Sequence, residues 1–116
     1  MNWIPITDEN MIDEIITASR EMMCLVFKHS NSCELSHISK WRLENSWTLP
    51  ATEVKLYFLD LLKYRPISNK IAEVFNVYHE SPQVLLIRNG ECIYECSHLD
   101  INTEEIELCY KEVTII

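Results

Sequence analysis

The sequence predicts an α/β protein with a mixed sheet of four strands, helices on both faces and an extra N-terminal helix. Short apolar runs alternate with segments of helical periodicity, which is typical of strands connected through helices. An Asn-Gly pair separates the last two apolar runs and favours a β-hairpin. The length of 116 residues, with 47% hydrophobic and 24% charged residues, fits one folded domain over residues 1–116.

Two helices and one strand are predicted in the first part of the chain. Isoleucines at helical spacing, preceded by capping and acidic residues, predict a helix over about 7–22. The apolar run 24–27 is too short for a helix and is typical of a buried strand. A polar turn at 29–32 follows, and apolar residues every three or four positions then predict a helix over about 33–45.

A second strand and a third helix are predicted next. The segment 54–59 is rich in the aromatic and aliphatic residues that strands favour. Pro66 suits the first turn of a helix, because the N–H that proline lacks has no partner there. Apolar residues at helical spacing continue to Phe75, and Asn76 suits the left-handed conformation that ends many helices.

The segment 84–96 carries the clearest local pattern in the chain. Asn89-Gly90 between two strand-like runs predicts a type I′ turn, and the single glycine of the chain stands where a positive φ is needed. A last helix is predicted to begin at Asn102 or Thr103. Its predicted inner side carries Ile106, Leu108 and Cys109.

This order of elements predicts the topology of the sheet. The first two strands are joined through a helix, so we expect them to be parallel, with a right-handed crossover. The last two strands form a hairpin and are therefore antiparallel. A mixed sheet of this kind, covered by helices on both faces, is the architecture of thioredoxin-like proteins.

Composition excludes several classes of function. A formal net charge of −8 opposes binding to nucleic acid or to an anionic membrane surface, since both need a basic face. A single glycine excludes glycine-rich phosphate loops. No apolar run is long enough to span a membrane, and residues 1–6 lack the basic start of a secretory signal, so we expect a cytoplasmic location.

Cys33 is the candidate nucleophile among five cysteines. In the predicted architecture, the loop after the first strand brings it to the first turn of a helix, where unpaired N–H groups stabilise a thiolate. Groups that are or can become positive lie nearby in sequence: Lys28, His29, His37 and Lys40. Glu34 acts in the opposite direction, because a carboxylate beside the thiol disfavours the thiolate.

Two further features accompany Cys33. Ser36 stands three positions after it, so the motif is C-x-x-S, and a second thiol from elsewhere must release any mixed disulfide. Ser81-Pro82 directly precedes the third predicted strand, a position where thioredoxin-like folds hold a cis proline beside the reactive cysteine. The backbone there can pair with an extended ligand.

The other cysteines have simpler interpretations. Cys24 lies in an apolar strand and Cys109 on the inner side of a helix, so both are expected to be buried. Cys92 and Cys96 are an even number of residues apart on one predicted strand, so their side chains are predicted to point to the same face of the sheet. With His98 they form a weak candidate metal site, because the spacing is not a usual zinc pattern, and we predict no bound metal.

Several sequence blocks together resemble one family. Residues 28–36 (KHSNSCELS) resemble the KHS-x-x-C-x-x-S signature of the YtxJ-like family, the monothiol bacilliredoxins. Residues 57–69, 79–90 and 97–101 resemble later blocks of that family in the same order. Ser32 and Glu34 stand where the family commonly has arginine and proline.

The resemblance implies a monothiol thiol–disulfide oxidoreductase of the thioredoxin fold. Such a protein removes bacillithiol, a small cysteine-bearing glucosamine–malate thiol, from S-thiolated client proteins. Cys33 would be the nucleophile with Ser36 beside it, and Cys96, which replaces a residue usually small in the family, would be a candidate resolving thiol. No bound cofactor is implied; bacillithiol or another low-molecular-weight thiol is the co-substrate.

The candidate substrate-binding residues lie in three loops: Lys28, His29, Ser32, Ser81, Pro82, Ser97, His98 and Asp100. The last three precede a helix whose N-terminus can hold a carboxylate of a small thiol, although turn formation explains them equally well. The alternative to an enzyme is a non-catalytic adaptor of the thioredoxin fold that binds an extended peptide in the same groove.

Overall fold

The computed structural model describes the backbone of residues 1–115 and the side chains of residues 1–113. Its elements follow in the order β1 (Trp3–Pro5), α1 (Met11–Ala18), β2 (Met23–His29), α2 (Glu34–Ser46), β3 (Val54–Asp60), α3 (Arg65–Val74), β4 (Gln83–Arg88), β5 (Glu91–Ser97) and α4 (Thr103–Ile115), with a 3-10 turn at His98–Asp100 before α4. No helix in this described part is long and apolar enough to span a membrane.

The sheet has five strands in the order β1-β3-β2-β4-β5. β3 pairs in parallel with both β1 and β2, whereas β4 pairs antiparallel with β2 and β5. The predicted parallel and antiparallel pairs are therefore confirmed. The predicted number of four strands is wrong by one, because the three-residue edge strand β1 contains Pro5 and has too little pattern to be recognised.

Helix α1 is shorter at both ends than the predicted segment 7–22. At its start, the Asp8 carboxylate accepts a hydrogen bond from the Asn10 N–H at 2.7 Å, which forms a turn in place of a helical one. At its end, the carbonyl of Ser19 accepts the Asn89 N–H at 2.8 Å and the Arg88 guanidinium at 2.8 Å. These tertiary bonds to the hairpin take the place of further helical bonds.

The core consists of two apolar clusters, one on each face of the sheet. One cluster contains residues of α1 and α3, and the other contains residues of α2 and α4. The central strand β2 supplies both, because Cys24 and Val26 point to the first cluster while Leu25 and Phe27 point to the second. All seven residues of β2 are buried, so its polar end at Lys28 and His29 is buried as well.

The hairpin between β4 and β5 has the predicted turn. Asn89 and Gly90 have φ values of +53° and +76°, and a type I′ turn requires positive values at both positions. Asn76, after α3, is also left-handed at φ +55°, as predicted. The hairpin also contains a bulge that the sequence did not predict: Ile87 pairs with Cys92, but Leu86 pairs with Tyr94.

This bulge changes which face of the sheet each side chain of β5 points to on either side of it. Cys92 therefore packs against the cluster of α1 and α3, whereas Cys96 belongs to the cluster of α2 and α4. The prediction that these two cysteines share a face is wrong, because the bulge inserts one residue between them. The two thiols are separated by the sheet.

Helix α4 begins as predicted but presents a different inner face. The Asn102 side chain caps it by accepting the N–H groups of Glu104 at 2.8 Å and Glu105 at 3.3 Å. Ile106 is buried, but Leu108 is 58% exposed and the prediction that it faces inward is wrong. Two residues rotate a helix by about 200°, so a residue two positions after Ile106 points away from the sheet.

We predict that Gly90→Ala lowers the free energy of unfolding by about 1–2 kcal/mol, because an L-residue is strained at this positive φ. The added Cβ would lie 3.4 Å from Ile16 Cγ2, which is ordinary contact, so the backbone is the cause. Chemical denaturation of the two proteins measures the difference. The control is Asn89→Gly, which tolerates the same backbone; an equal loss there would contradict this explanation.

Candidate active site

Three segments meet at the end of the sheet where β2 finishes. The loop of residues 30–33 leads from β2 into α2, and the Ser81–Pro82 peptide directly before β4 is cis, as predicted. Gln83 pairs with Lys28, so this peptide lies beside the end of β2. The His98 N–H donates to the Pro82 carbonyl at 3.0 Å, which brings the end of β5 to the same place.

Cys33 lies at the start of α2, as the sequence predicts, but at the N-cap position and not in the first turn. Its backbone is extended, with φ −110° and ψ 114°, and its carbonyl accepts the N–H groups of Ser36 at 3.1 Å and His37 at 3.3 Å. No side chain caps α2, and the Cys33 thiol is half-buried. The first-turn N–H groups of α2 thus favour a negative charge at the position of this sulfur.

Of the other four cysteines, Cys24 and Cys96 are buried, whereas Cys92 and Cys109 are half-buried like Cys33, so the prediction of a buried Cys109 holds only in part. Desolvation raises the pKa of Cys24, Cys92 and Cys96 to about 11 each, and it also raises the pKa of Cys109. These thiols are therefore protonated at neutral pH and react poorly as nucleophiles. For Cys96, burial in the core and this high pKa oppose the role of a resolving thiol in the folded protein.

Two histidines hold the loop that precedes Cys33. His29 Nε2 lies 3.0 Å from the Asn31 Oδ1 atom, and His37 Nε2 lies 2.9 Å from the Asn31 carbonyl oxygen. The two imidazole rings contact edge to face at 4.8 Å between centroids. Asn31 is thus bound through its side chain and its backbone, two positions before the thiol.

The protonation of His29 follows from its surroundings. Desolvation by burial lowers its pKa, so the ring is neutral at pH 7. Because Asn31 Oδ1 can only accept, the His29 Nε2 atom carries the proton and donates, which leaves Nδ1 buried without a hydrogen-bond partner in the described structure. The prediction that His29 contacts substrate is not compatible with this burial; the residue positions the loop.

Serine hydroxyls complete the support of the loop. Ser36 is fully buried, and its Oγ atom accepts the Ser30 N–H at 3.1 Å. Ser30 Oγ in turn lies 3.1 Å from the Oγ atom of the exposed Ser32. The serine of the C-x-x-S motif therefore positions the turn into α2, while Ser32 stays available at the surface beside Cys33.

Lys28 lies on the opposite side of β2 and has no exposed surface (0%). Its Nζ atom donates to the Ser68 carbonyl at 3.0 Å and lies 3.5 Å from His79 Nδ1. Desolvation, followed by repulsion from Arg65, lowers the Lys28 pKa to about 8. The prediction that Lys28 contacts substrate is not compatible with this complete burial.

The remaining predicted binding residues lie around the cis peptide. Ser81 is half-buried, with an Oγ atom that has no partner among the described residues, and Pro82 is buried. Ser97 pairs with Gln83 at the end of β5. His98 is left-handed at φ +55°, and its Nε2 atom lies 3.3 Å from Glu80 Oε2.

The start of α4 is acidic. Asp100 is exposed and lines an open cavity of about 460 Å³ together with Glu95 and Glu105. Three carboxylates repel an anion more strongly than the helix N-terminus attracts it, so this end of α4 is a poor place for a carboxylate. Lys40, predicted to lie near the thiol, forms an ion pair with Glu44 at 3.1 Å instead.

Sequence reasoning did not find Asn31, Arg65 or His79. Asn31 lies two residues after His29 and six before His37, and this spacing is only a weak indication that the three residues are in contact. Arg65 and His79 are brought together across the fold, with Arg65 Nη1 3.3 Å from His79 Nε2. No spacing in the sequence indicates that contact.

Comparisons with known proteins concern the family and the fold. A family model described as Monothiol bacilliredoxin BrxC matches residues 4–106. A solved structure described as a candidate oxidoreductase with a thioredoxin fold is 27% identical with a TM-score of 0.78, and the match covers 91% of each chain.

Two thioredoxins are more distant in sequence. The thioredoxin of Malassezia sympodialis is 12% identical with a TM-score of 0.70, and the match covers 97% of this chain and 90% of that one. The thioredoxin of Fasciola hepatica is 13% identical with a TM-score of 0.68, covering 97% and 98%. These likenesses show the fold, so the chain has the thioredoxin fold.

We predict that iodoacetamide at pH 7 modifies Cys33 first. A thiol with a pKa of about 11, such as Cys24 or Cys96, has more than about a hundredfold less thiolate at pH 7 than a free cysteine, and burial restricts access further. Peptide mapping after a short reaction identifies the labelled residue. Labelling of Cys24, Cys92 and Cys96 should rise only as the pH approaches 11; equal labelling of Cys96 at pH 7 would contradict the assignment.

We predict that Asn31→Ala lowers the free energy of unfolding by about 1–2 kcal/mol, because the buried His29 Nε2–H loses its acceptor. The alkylation rate of Cys33 should also change, since the loop before it is released. Asn45→Ala is the matched control, because the Asn45 amide makes one exposed bond, to the Trp41 carbonyl at 2.8 Å. A loss as large in the control would show that asparagine removal alone is responsible.

Proposed function

The chain belongs to the monothiol bacilliredoxin family, and from that premise we propose that it removes bacillithiol from protein mixed disulfides through Cys33. Membership of this family and the thioredoxin fold support a thiol redox function. The similarity of residues 28–36 to the KHS-x-x-C-x-x-S signature supports the YtxJ-like group within the family. We expect the protein to act in the cytoplasm without a bound cofactor.

The observation that carries the proposal is the contrast between Cys33 and the other thiols. Cys33 stands at the uncapped start of α2 with part of its surface exposed, at the end of the sheet where the cis Ser81–Pro82 peptide also lies. Burial raises the pKa of each of the other four thiols. A nucleophile that attacks a disulfide in solution needs access and thiolate character, and a partly exposed helix N-terminus is a position that favours both.

The proposed reaction is a single exchange. The Cys33 thiolate attacks the bacillithiol sulfur of the client's mixed disulfide, the bond to the client sulfur breaks, and the client leaves as a thiolate. Cys33 then carries bacillithiol as a mixed disulfide. Because Ser36 stands where a second cysteine would be needed, a thiol from solution or a reductase attacks this disulfide and restores Cys33.

A protein client is supported by exposed apolar side chains on α2, the helix that begins at Cys33, and in the adjoining 3-10 turn. Ile38 and Trp41 on α2 are 50% and 65% exposed, and Leu99 in the 3-10 turn is 65% exposed. The Ser39 hydroxyl donates to the His98 carbonyl at 3.3 Å, which joins α2 to that turn. Several exposed apolar side chains on adjoining elements are typical of a surface that contacts another protein.

The same exposed side chains favour a second candidate, an adaptor that binds a peptide without chemistry. Glu34 is exposed at the first position of α2, next to the thiol, and its negative charge disfavours a thiolate there. The two functions differ in a covalent product. Only the enzyme acquires a bacillithiol adduct and frees the client.

We predict that the protein acquires one bacillithiol adduct, mapped to Cys33, when it is incubated with a bacillithiolated client. Intact mass spectrometry of both proteins follows the transfer. Cys33→Ser should abolish it, and Cys96→Ser is the matched control that should retain it, because Cys96 is buried with a pKa of about 11. Transfer by the Cys33→Ser variant would exclude the mechanism, and binding of the client without any adduct would favour the adaptor.

A further inference from the structure

Three basic side chains meet at the start of α3. Lys28 Nζ lies 3.5 Å from His79 Nδ1, and Arg65 Nη1 lies 3.3 Å from His79 Nε2. Ser68 adds its carbonyl, 3.0 Å from Lys28 Nζ, and its hydroxyl, 3.2 Å from His79 Nδ1. This basic cluster, Lys28, Arg65 and His79, is unexpected in a chain of net charge −8.

The hydrogen bonds of the cluster depend on which nitrogen of His79 carries the proton. Lysine and arginine only donate at neutral pH, and a neutral imidazole has one nitrogen that can accept. With the proton on Nδ1, His79 donates to the Ser68 hydroxyl at 3.2 Å and accepts from Arg65 at Nε2. With the proton on Nε2, Nδ1 can accept from Lys28, but Nε2 and the Arg65 guanidinium are then two donors that face each other at 3.3 Å. An acceptor placed between those two donors would satisfy both.

No carboxylate of the described residues fills that place. Arg65 and Lys28 form no ion pair there, and the first turn of α3 contains no acidic residue and no side-chain cap. Glu80 is the one carboxylate that acts on the His79 pKa, and its Oε2 atom lies 3.3 Å from His98 Nε2. The positive charge of the cluster is therefore left without a bound partner.

The cluster lies at the same end of the sheet as Cys33. Lys28 is near the end of β2, Arg65 follows the end of β3, and His79 precedes the cis peptide before β4. Ligands of open α/β sheets bind at the carboxyl ends of the parallel strands. Arg65 is exposed and His79 is half-buried, so both can be reached from solvent. Lys28 is fully buried behind them and adds positive charge without reaching solvent.

We propose that Arg65 and His79 bind a carboxylate of the small thiol that Cys33 carries, with buried Lys28 supplying a fixed positive field. This inference rests on the proposed function, because it names the part of the thiol that is recognised. A carboxylate accepts from the guanidinium and from the imidazole N–H together and satisfies both opposed donors. The carboxylates around α4 make that helix the poorer site, so the thiol is oriented toward α3.

The first test is the binding of a free carboxylate, which does not depend on Cys33. Succinate is titrated at constant ionic strength while the His79 ring signals are followed by NMR. We expect a saturable shift, weakened about tenfold or more in Arg65→Gln, which removes a charge-assisted hydrogen bond. Lys63→Gln is the matched control: it removes one charge two residues away, from a side chain over the Tyr64 ring at 5.4 Å, and should bind as the wild type.

The absence of a saturable His79 shift in the wild type, or equal binding by Arg65→Gln, would overturn the inference. An equal loss in Lys63→Gln would also overturn it, since binding would then reflect overall charge. His79→Gln provides a second variant, in which a loss of binding is read from the signals of residues 64–69.

A second measurement separates this inference from the proposed function. The Cys33 thiolate is reacted with a disulfide of a carboxylate-bearing thiol and with the uncharged amide of the same disulfide; one S–S bond breaks, one forms, and the free thiolate leaves. We expect the wild type to favour the carboxylate form and Arg65→Gln to lose about tenfold of that preference. Exchange without preference would refute the carboxylate site alone, whereas succinate binding without exchange would refute the proposed function alone.

Discussion

The complete burial of β2 is the constraint on which the rest of the site depends. Its seven residues lie at the centre of the sheet between two helical layers, and successive side chains enter opposite layers. At its end, this alternation directs Lys28 toward α3 and His29 toward α2. Two polar networks therefore form on either side of one strand, and neither residue reaches solvent.

The network on the α2 side positions Cys33, the proposed nucleophile. His29, His37 and the Ser36 hydroxyl together hold the loop between β2 and α2, so Cys33 arrives at the helix start in one conformation. The unpartnered His29 Nδ1 atom is the cost of that arrangement, since a buried acceptor without a donor loses its hydration. The hydrogen bonds of this network thus position the Cys33 thiol without involving its sulfur atom.

Charge is distributed unevenly around this thiol. Acidic residues surround the start of α4, while Lys28, Arg65 and His79 gather at the start of α3. A small anionic thiol that approaches Cys33 meets repulsion on one side and attraction on the other. An acidic protein can therefore recognise an anionic ligand, because local placement and burial outweigh net charge at short range.

The amino-acid sequence by itself determined what depends on neighbours in the chain. Asn89-Gly90 predicted the hairpin, and Pro66 and Cys33 marked two helix starts. The blocks around Cys33 indicated a monothiol bacilliredoxin, and the model of that family matches residues 4–106. These features depend on local backbone preferences and on the spacing of apolar residues. The architecture followed from the order of such elements.

Only the tertiary structure decided the features that depend on distant partners. β1 exists because β3 provides a strand to pair with, and the bulge at the Leu86/Ile87 step puts Cys92 and Cys96 on opposite faces. A lysine in a strand is normally expected to reach water, yet Lys28 is buried because its partners Ser68 and His79 come from 40 and 51 residues away. The burial of a side chain and the presence of its hydrogen-bond partners depend on the assembled fold, so no local sequence pattern encodes them.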